Sequence, residues 1–142
     1  MAELWKGAPA AAALTEKIAR QAQQLVRAGI TPTLAIVRVG ERPEDLSYER
    51  GALKRCEKAG VAVRQFLLPQ QASQEELLAV IGQINADEAI HGCLLFRPLP
   101  SHMDERAVCQ ALSPAKDVDG ITDGSLAGVF AGTGHGFPPC SA

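Results

Sequence analysis

The chain has 142 residues, 46% of them hydrophobic and 21% charged, which is ordinary usage for one globular domain. A chain of this length buries roughly two-thirds of its unfolded surface and needs no covalent staple. Fourteen Lys and Arg against sixteen Asp and Glu give a net charge of −2, and aromatic residues make up only 4%. Those figures exclude the basic stripe and the stacking platform that nucleic-acid binding needs. No apolar run approaches the ~20 residues of a membrane span, and the N-terminus lacks a signal-peptide layout. A soluble, cytoplasmic protein without nucleic-acid or membrane partners is expected.

The elements follow in a simple alternation. Between Pro9 and Gly29, Ala13, Leu14, Ile18, Ala22, Leu25 and Val26 recur every three to four positions, which predicts a helix with one buried stripe. Thr33 to Val39 is short, apolar and β-branched, as a strand buried on both faces should be. Pro43 and Glu44 open a second helix that Gly60 stops. Val61 to Leu68 reads as a second strand. Ser73 and Glu76 form a capping box for a helix carrying Leu77, Leu78, Val80, Ile81 and Ile84. Gly92 to Phe96 is a third buried strand, closed by Arg97-Pro98-Leu99-Pro100. A short helix over Asp104–Leu112 and a weaker one over Asp123–Phe130 complete the pattern.

Strands alternating with helices predict an α/β fold of three layers, a mostly parallel sheet with helices on both faces. Ligands of such sheets sit outside the carboxyl ends of the strands, here around Gly40, Leu68 and Phe96. The domain is expected over 1–127, with 128–142 a glycine- and proline-rich tail or truncated linker. Its Gly132-Thr-Gly-His-Gly136 run is no dinucleotide fingerprint, since it neither follows a strand nor opens a helix. Cys56, Cys93 and Cys109 fall in apolar or helical patterns and read as small buried hydrophobes. The three histidines, at 91, 102 and 135, show no ligand spacing, so no metal is expected.

Several phrases in order resemble one family: Val39-Gly40-Glu-Arg-Pro43, Tyr48, Lys54-Arg-Cys56-Glu-Lys-Ala-Gly60, Leu67-Leu-Pro69, Asn85-Ala86-Asp87, Gly92-Cys-Leu-Leu, Pro98-Leu-Pro100, Lys116-Asp-Val-Asp-Gly120 and Phe137-Pro-Pro-Cys140. The chain resembles the catalytic, N-terminal domain of bifunctional methylenetetrahydrofolate dehydrogenase/methenyltetrahydrofolate cyclohydrolase. The resemblance implies a folate-binding domain followed by a Rossmann domain that binds NADP. The two activities carry methylene-tetrahydrofolate through the methenyl to the formyl form in one-carbon metabolism. This chain holds no cofactor by itself on that reading, because the nicotinamide would sit in the absent second domain. Dehydrogenase activity from this chain alone is not expected. Much of the family's homodimer contact also lies in that domain, so a stable homodimer is not expected either.

Cyclohydrolysis needs a group that handles a proton beside a cationic carbon. The family uses a lysine four residues after a tyrosine, roughly 400° on and therefore one turn above it on the same face. Here Tyr48 is present, but Ala52 stands at the lysine position. Lys54 lies roughly 120° around the helix from Tyr48, and Arg50 about 160°, so neither is aimed to replace it. The family's glutamine partner of that lysine, before Pro-Leu-Pro, is matched by Phe96. An apolar pair leaves no orphaned donor, as a retired catalytic pair should.

The recognition side matches better. By resemblance Asp119 pairs with the aminopyrimidine edge of the pterin, Tyr48 stacks on it, and Pro98, Leu99 and Pro100 form a wall. Plainer readings stand beside these: Asp119 as the cap of the turn at Gly120, Tyr48 as a half-buried helix residue, Arg97 as a solvated strand end. The functional expectation is a folate-site domain whose activity is reduced or lost. Its alternatives are a binding or interaction module retaining only the fold, and a fragment of a longer bifunctional enzyme.

Overall fold

The computed structural model describes residues 6–139. Cys140, the last residue of the Phe137-Pro-Pro-Cys140 phrase, lies outside them. Three strands, β1 (Thr33–Val39), β2 (Ala62–Leu68) and β3 (Gly92–Leu95), form one all-parallel sheet in the order β2-β1-β3. Thr33 pairs with Ala62 and Val39 with Leu68 on one side of β1, while Leu34–Val37 pair with Gly92–Leu95 on the other. The amide of Phe96 continues the ladder to the Val37 carbonyl at 2.9 Å. The helices are α1 (Gly7–Arg27), α2 (Pro43–Ala59), α3 (Gln74–Ala86), α4 (Glu105–Ala111) and α5 (Asp123–Ala131), with a 3₁₀ turn at Pro114–Lys116.

Side chains alternate across β1, and that alternation divides the layers. Ala35, Val37 and Val39 share one core with Leu77, Ile81 and Ile84 of α3 and Val108, Cys109 and Leu112 of α4. Ile36 and Arg38 point to the opposite face, where Arg38 meets Glu49 of α2. Parallel sheets covered on both faces read as continuous apolar runs, which is how β1 reads. Of the two outer strands β2 is the exposed one, with Ala62, Arg64, Gln65 and Leu67 open to solvent.

Local chemistry sets the helix ends. Pro43 occupies the first turn of α2 with Glu44 and Asp45, complementing the helix dipole. Gly60 ends it in the left-handed region, φ 73°, where any Cβ would be strained. Ser73 Oγ accepts from the Glu76 amide and the Glu76 carboxylate accepts from the Ser73 amide, so the predicted capping box is formed.

Two expectations are corrected. The stripe of α1 is not buried: only Ala22 is, while Leu14, Leu25 and Val26 are 57%, 40% and 53% exposed. The reason is spatial, for α2 already covers that face of a three-stranded sheet and α1 packs on α2, with Ala22 opposite Gly60. The boundary expected at 127/128 falls inside α5, and the described chain beyond it, as far as Pro139, is docked rather than loose. Gly128 lies against the backbone of His135, Gly136 against Ser125, and Gly120 against Phe137 and Pro139.

Candidate functional site

A cavity of about 300 Å³ opens at the carboxyl end of β3, beside the first turns of α2. Leu94, Leu95, Phe96 and Arg97 supply its strand side, Arg42, Glu44, Asp45 and Tyr48 its helix side, and Asp119 its third side. The sequence places α2 there because Gly40 (φ 82°) turns the chain sharply out of β1. The structure thus brings together Tyr48, Phe96 and Asp119 from segments 48 to 119.

Tyr48 and Phe96 meet edge to face, with ring centroids 5.4 Å apart and planes at 81°. Phe96 is buried at 6% exposure, whereas Tyr48 is 62% exposed, so the phenol ring offers a free face above an apolar floor. Tyr48 is therefore not the half-buried helix residue of the plainer reading. Ala52, one turn further along α2, lines an adjoining groove of about 740 Å³ with Tyr48, Gly51, Arg55 and Cys56. Arg50 and Lys54 are exposed and line neither hollow.

The Lys116–Gly120 phrase divides its work. Lys116 Nζ donates to the carbonyls of Ile84 and Asp87 (2.7 Å for the latter), closing the end of α3. Asp117 is fully buried and accepts from the amides of Ile121 (3.0 Å) and Thr122 (2.8 Å). Burial pushes the Asp117 carboxyl up, but the amides of Thr122 and Ile121 and the nearby hydroxyls outweigh it and hold it below the usual range. The turn at Gly120 is thus fixed by Asp117, not Asp119. Among the described residues no hydrogen bond engages the Asp119 carboxylate, and Asp119 lines the cavity.

Pro98, Leu99 and Pro100 lie just beyond the cavity rather than along it. Pro98 is exposed, whereas Leu99 and Pro100 are buried, Leu99 within the main core. Glu105 holds this phrase by accepting from the Leu99 amide at 2.8 Å, and Arg97 stands 3.9 Å from the same carboxylate. Arg97 is nevertheless a lining residue as well as a strand end.

Sequence reasoning missed Arg42, Asp45 and Arg55. Arg42 grips Asp45 through two nitrogens, at 3.1 and 3.2 Å, an i,i+3 spacing that was available to be read. Arg55 lies seven residues after Tyr48, the two-turn repeat of one helix face. Among the described residues no three His, Cys, Asp or Glu are grouped to hold a metal, and no helix is long and apolar enough to cross a membrane. Cys93 is buried with its thiol pushed up to about 12, first by desolvation and then by the Asp117 charge. Cys109 is buried too, and Cys56 is half-buried; desolvation raises both thiols.

The crevice lies at the carboxyl ends of a parallel sheet covered on both faces, where α/β domains of this build carry their ligands. Residues 5–119 match the tetrahydrofolate dehydrogenase/cyclohydrolase catalytic domain, and the chain belongs to that family. It is 42% identical over 139 residues to the bifunctional protein FolD of Clostridioides difficile (strain 630), and 45% over 141 residues to that of Carboxydothermus hydrogenoformans. These alignments cover 98% and 99% of this chain but 48% and 49% of those proteins, so the chain spans about half the length of the curated relatives it matches. The crystal structure of the Campylobacter jejuni bifunctional enzyme FolD superposes with a TM-score of 0.92 at 32% identity, covering 95% of this chain and 48% of that one. A Trypanosoma brucei methylenetetrahydrofolate dehydrogenase-cyclohydrolase, solved with NADP and inhibitor, gives a TM-score of 0.78 at 28% identity over 83% of this chain and 40% of its own.

Proposed function

We propose that the cavity between α2 and β3 binds the pterin end of a folate, and that this chain has reduced or lost cyclohydrolase chemistry. Asp119 accepts two N–H bonds from the aminopyrimidine edge, and the exposed ring of Tyr48 stacks on the fused ring system. The proposal rests above all on the surroundings of Tyr48. The position one turn on is Ala52, and the ring beside it is Phe96, where the family pattern has lysine and glutamine. Arg55 lies on the same face but cannot act as a base, because a guanidinium keeps its proton in proteins. Water addition to the methenyl carbon thus lacks the proton-handling amine.

The described residues do not fit a nicotinamide cofactor. Gly132–Gly136 follows a helix, and Gly132 serves as the left-handed cap of α5 instead of opening a pyrophosphate cradle. No hydride-transfer step is assigned to this chain. Calorimetric titration with 5-formyltetrahydrofolate tests the binding, and loss of methenyl-tetrahydrofolate absorbance tests the chemistry. Saturable binding that vanishes in Asp119→Ala, with cyclohydrolase turnover at least ~100-fold below a lysine-bearing relative, is expected. Absent binding, or turnover equal to that relative, would refute the reading.

A further inference from the structure

Asp119 sits on a short loop whose two flanks are held by unlike means. On the entering side, Asp117 bridges to Cys93 of β3, and its buried carboxylate reaches across the loop to the amides of Ile121 and Thr122. On the leaving side, Gly120 has φ 68° and is covered by Phe137 and Pro139: a methyl there would come within 2.7 Å of the Pro139 nitrogen and 3.1 Å of the Phe137 carbonyl oxygen. Among the described residues no hydrogen bond of the Asp119 side chain holds it beside the cavity.

The covering segment, Gly132–Pro139, is seated by close backbone approach. It leaves α5 through Gly132, and the Thr133 amide donates to the Gly128 carbonyl at 3.1 Å. It then crosses α5 so tightly that a Cβ on Gly128 would lie 1.7 Å from the His135 carbonyl oxygen. One residue later Gly136 passes Ser125, whose Cα and Oγ would stand 2.7 and 2.5 Å from an added methyl. Ser125 is fully buried, and its hydroxyl accepts from Thr122, the same residue whose amide reaches Asp117. Contact therefore runs from Gly128 and Ser125 through Thr122 to the loop that carries Asp119.

We propose that Gly132–Pro139 is a positioning strap for the ligand carboxylate: by seating on Gly128, Ser125 and Gly120 it holds the Asp119 loop against the cavity. The ligand half of this proposal rests on the folate reading above; the loop-holding half does not. Gly128 is the best lever, because its helical backbone accepts alanine and only the strap objects. Gly82→Ala in α3, where an added methyl meets nothing within 4 Å, is the matched control.

The test uses the whole chain at a temperature where melts show each variant folded. Two quantities are read: amide hydrogen exchange over 118–122, and affinity for 5-formyltetrahydrofolate. Gly128→Ala is expected to speed exchange over 118–122 at least tenfold while β1 and β3 stay protected, and to weaken binding at least tenfold. Gly82→Ala should change neither. Unchanged exchange over 118–122 in folded Gly128→Ala overturns the strap whether or not any folate binds. Faster exchange with unchanged affinity in a parent that binds also overturns the positioning role. If the parent does not bind, the folate reading fails, and the exchange result alone decides the strap. Should Gly128→Ala not fold, Gly136→Ala, which displaces the strap from Ser125, carries the same expectations.

Discussion

Glu49 is the residue whose loss should be felt most. It sits at 10% side-chain exposure on α2 and accepts from Arg38 Nε at 2.7 Å and from Gln65 Nε2 at 2.7 Å. Arg38, at 5% exposure, also donates to the Gly40 carbonyl. One carboxylate thus ties α2 to the centre strand and the edge strand at once. Glu49→Ala leaves a guanidinium buried with a single carbonyl partner, and breaking a buried pair in this way costs about 3–5 kcal/mol. A domain of this size holds about 5–15 kcal/mol in total, so a fifth or more of its stability is at stake. At roughly 3–5 °C per kcal/mol, the thermal midpoint should fall by about 9–25 °C. Urea unfolding followed by circular dichroism measures the loss directly. The double variant Arg38→Leu with Glu49→Leu should recover much of it, because no charge is then stranded. A Glu49→Ala loss below ~1 kcal/mol, or a double-variant loss equal to the sum of the singles, would show that the pair is not coupled as described.

Asp117 should make the fold acid-sensitive. Its folded carboxyl titrates below the unfolded value, near 3.9, so its contribution is complete above that pH and disappears as pH falls through the folded value. Asp117→Asn should cost about 1–3 kcal/mol at pH 7 and flatten that acid limb, read from urea midpoints across pH. Ala52→Lys with Phe96→Gln should raise cyclohydrolase turnover above the parent, within the ~10²–10⁴-fold that a positioned acid or base supplies. Ala52→Lys alone should do less, since the amine then faces a ring in place of a hydrogen-bonding amide; equal rates for all three proteins would sink the residue matching. Cys93 should be the last of the described cysteines to react with a thiol reagent at neutral pH, because burial holds its thiol near 12. Early labelling of Cys93, mapped by mass spectrometry, would contradict that.

What the sequence disclosed depended on the range of the interaction. β1, the Ser73–Glu76 box and the stop at Gly60 are set by neighbouring residues, and each was readable. Tyr48, Phe96 and Asp119 were named as site residues through motif matching, and the structure places all three around one cavity. The α1 stripe misled because periodicity reports an apolar face and not what lies under it. The Arg38–Glu49–Gln65 cluster joins three elements, and no local pattern announces it. The seat of the 132–139 segment on Gly128 was equally hidden, since it depends on backbone meeting backbone across a helix.

The shallow seating of α1 sets an order of opening. Its 21 residues bury one side chain, Ala22, against the glycine that ends α2, whereas β1 and α3 share a continuous core. Most helical stability in proteins comes from tertiary packing of one face, so α1, with so little buried, draws little protection from the rest of the chain. Native-state exchange should find it opening well below the global unfolding free energy, while the β1–α3–α4 block exchanges only with complete unfolding. The ligand cavity is tied to the second group: Phe96 extends β3, and Tyr48 rides on α2, which the Arg38–Glu49–Gln65 cluster fastens to the sheet apart from α1. Detachment of the first helix can thus be frequent without disturbing the site, and equal protection in both groups would show that the chain opens as one unit instead.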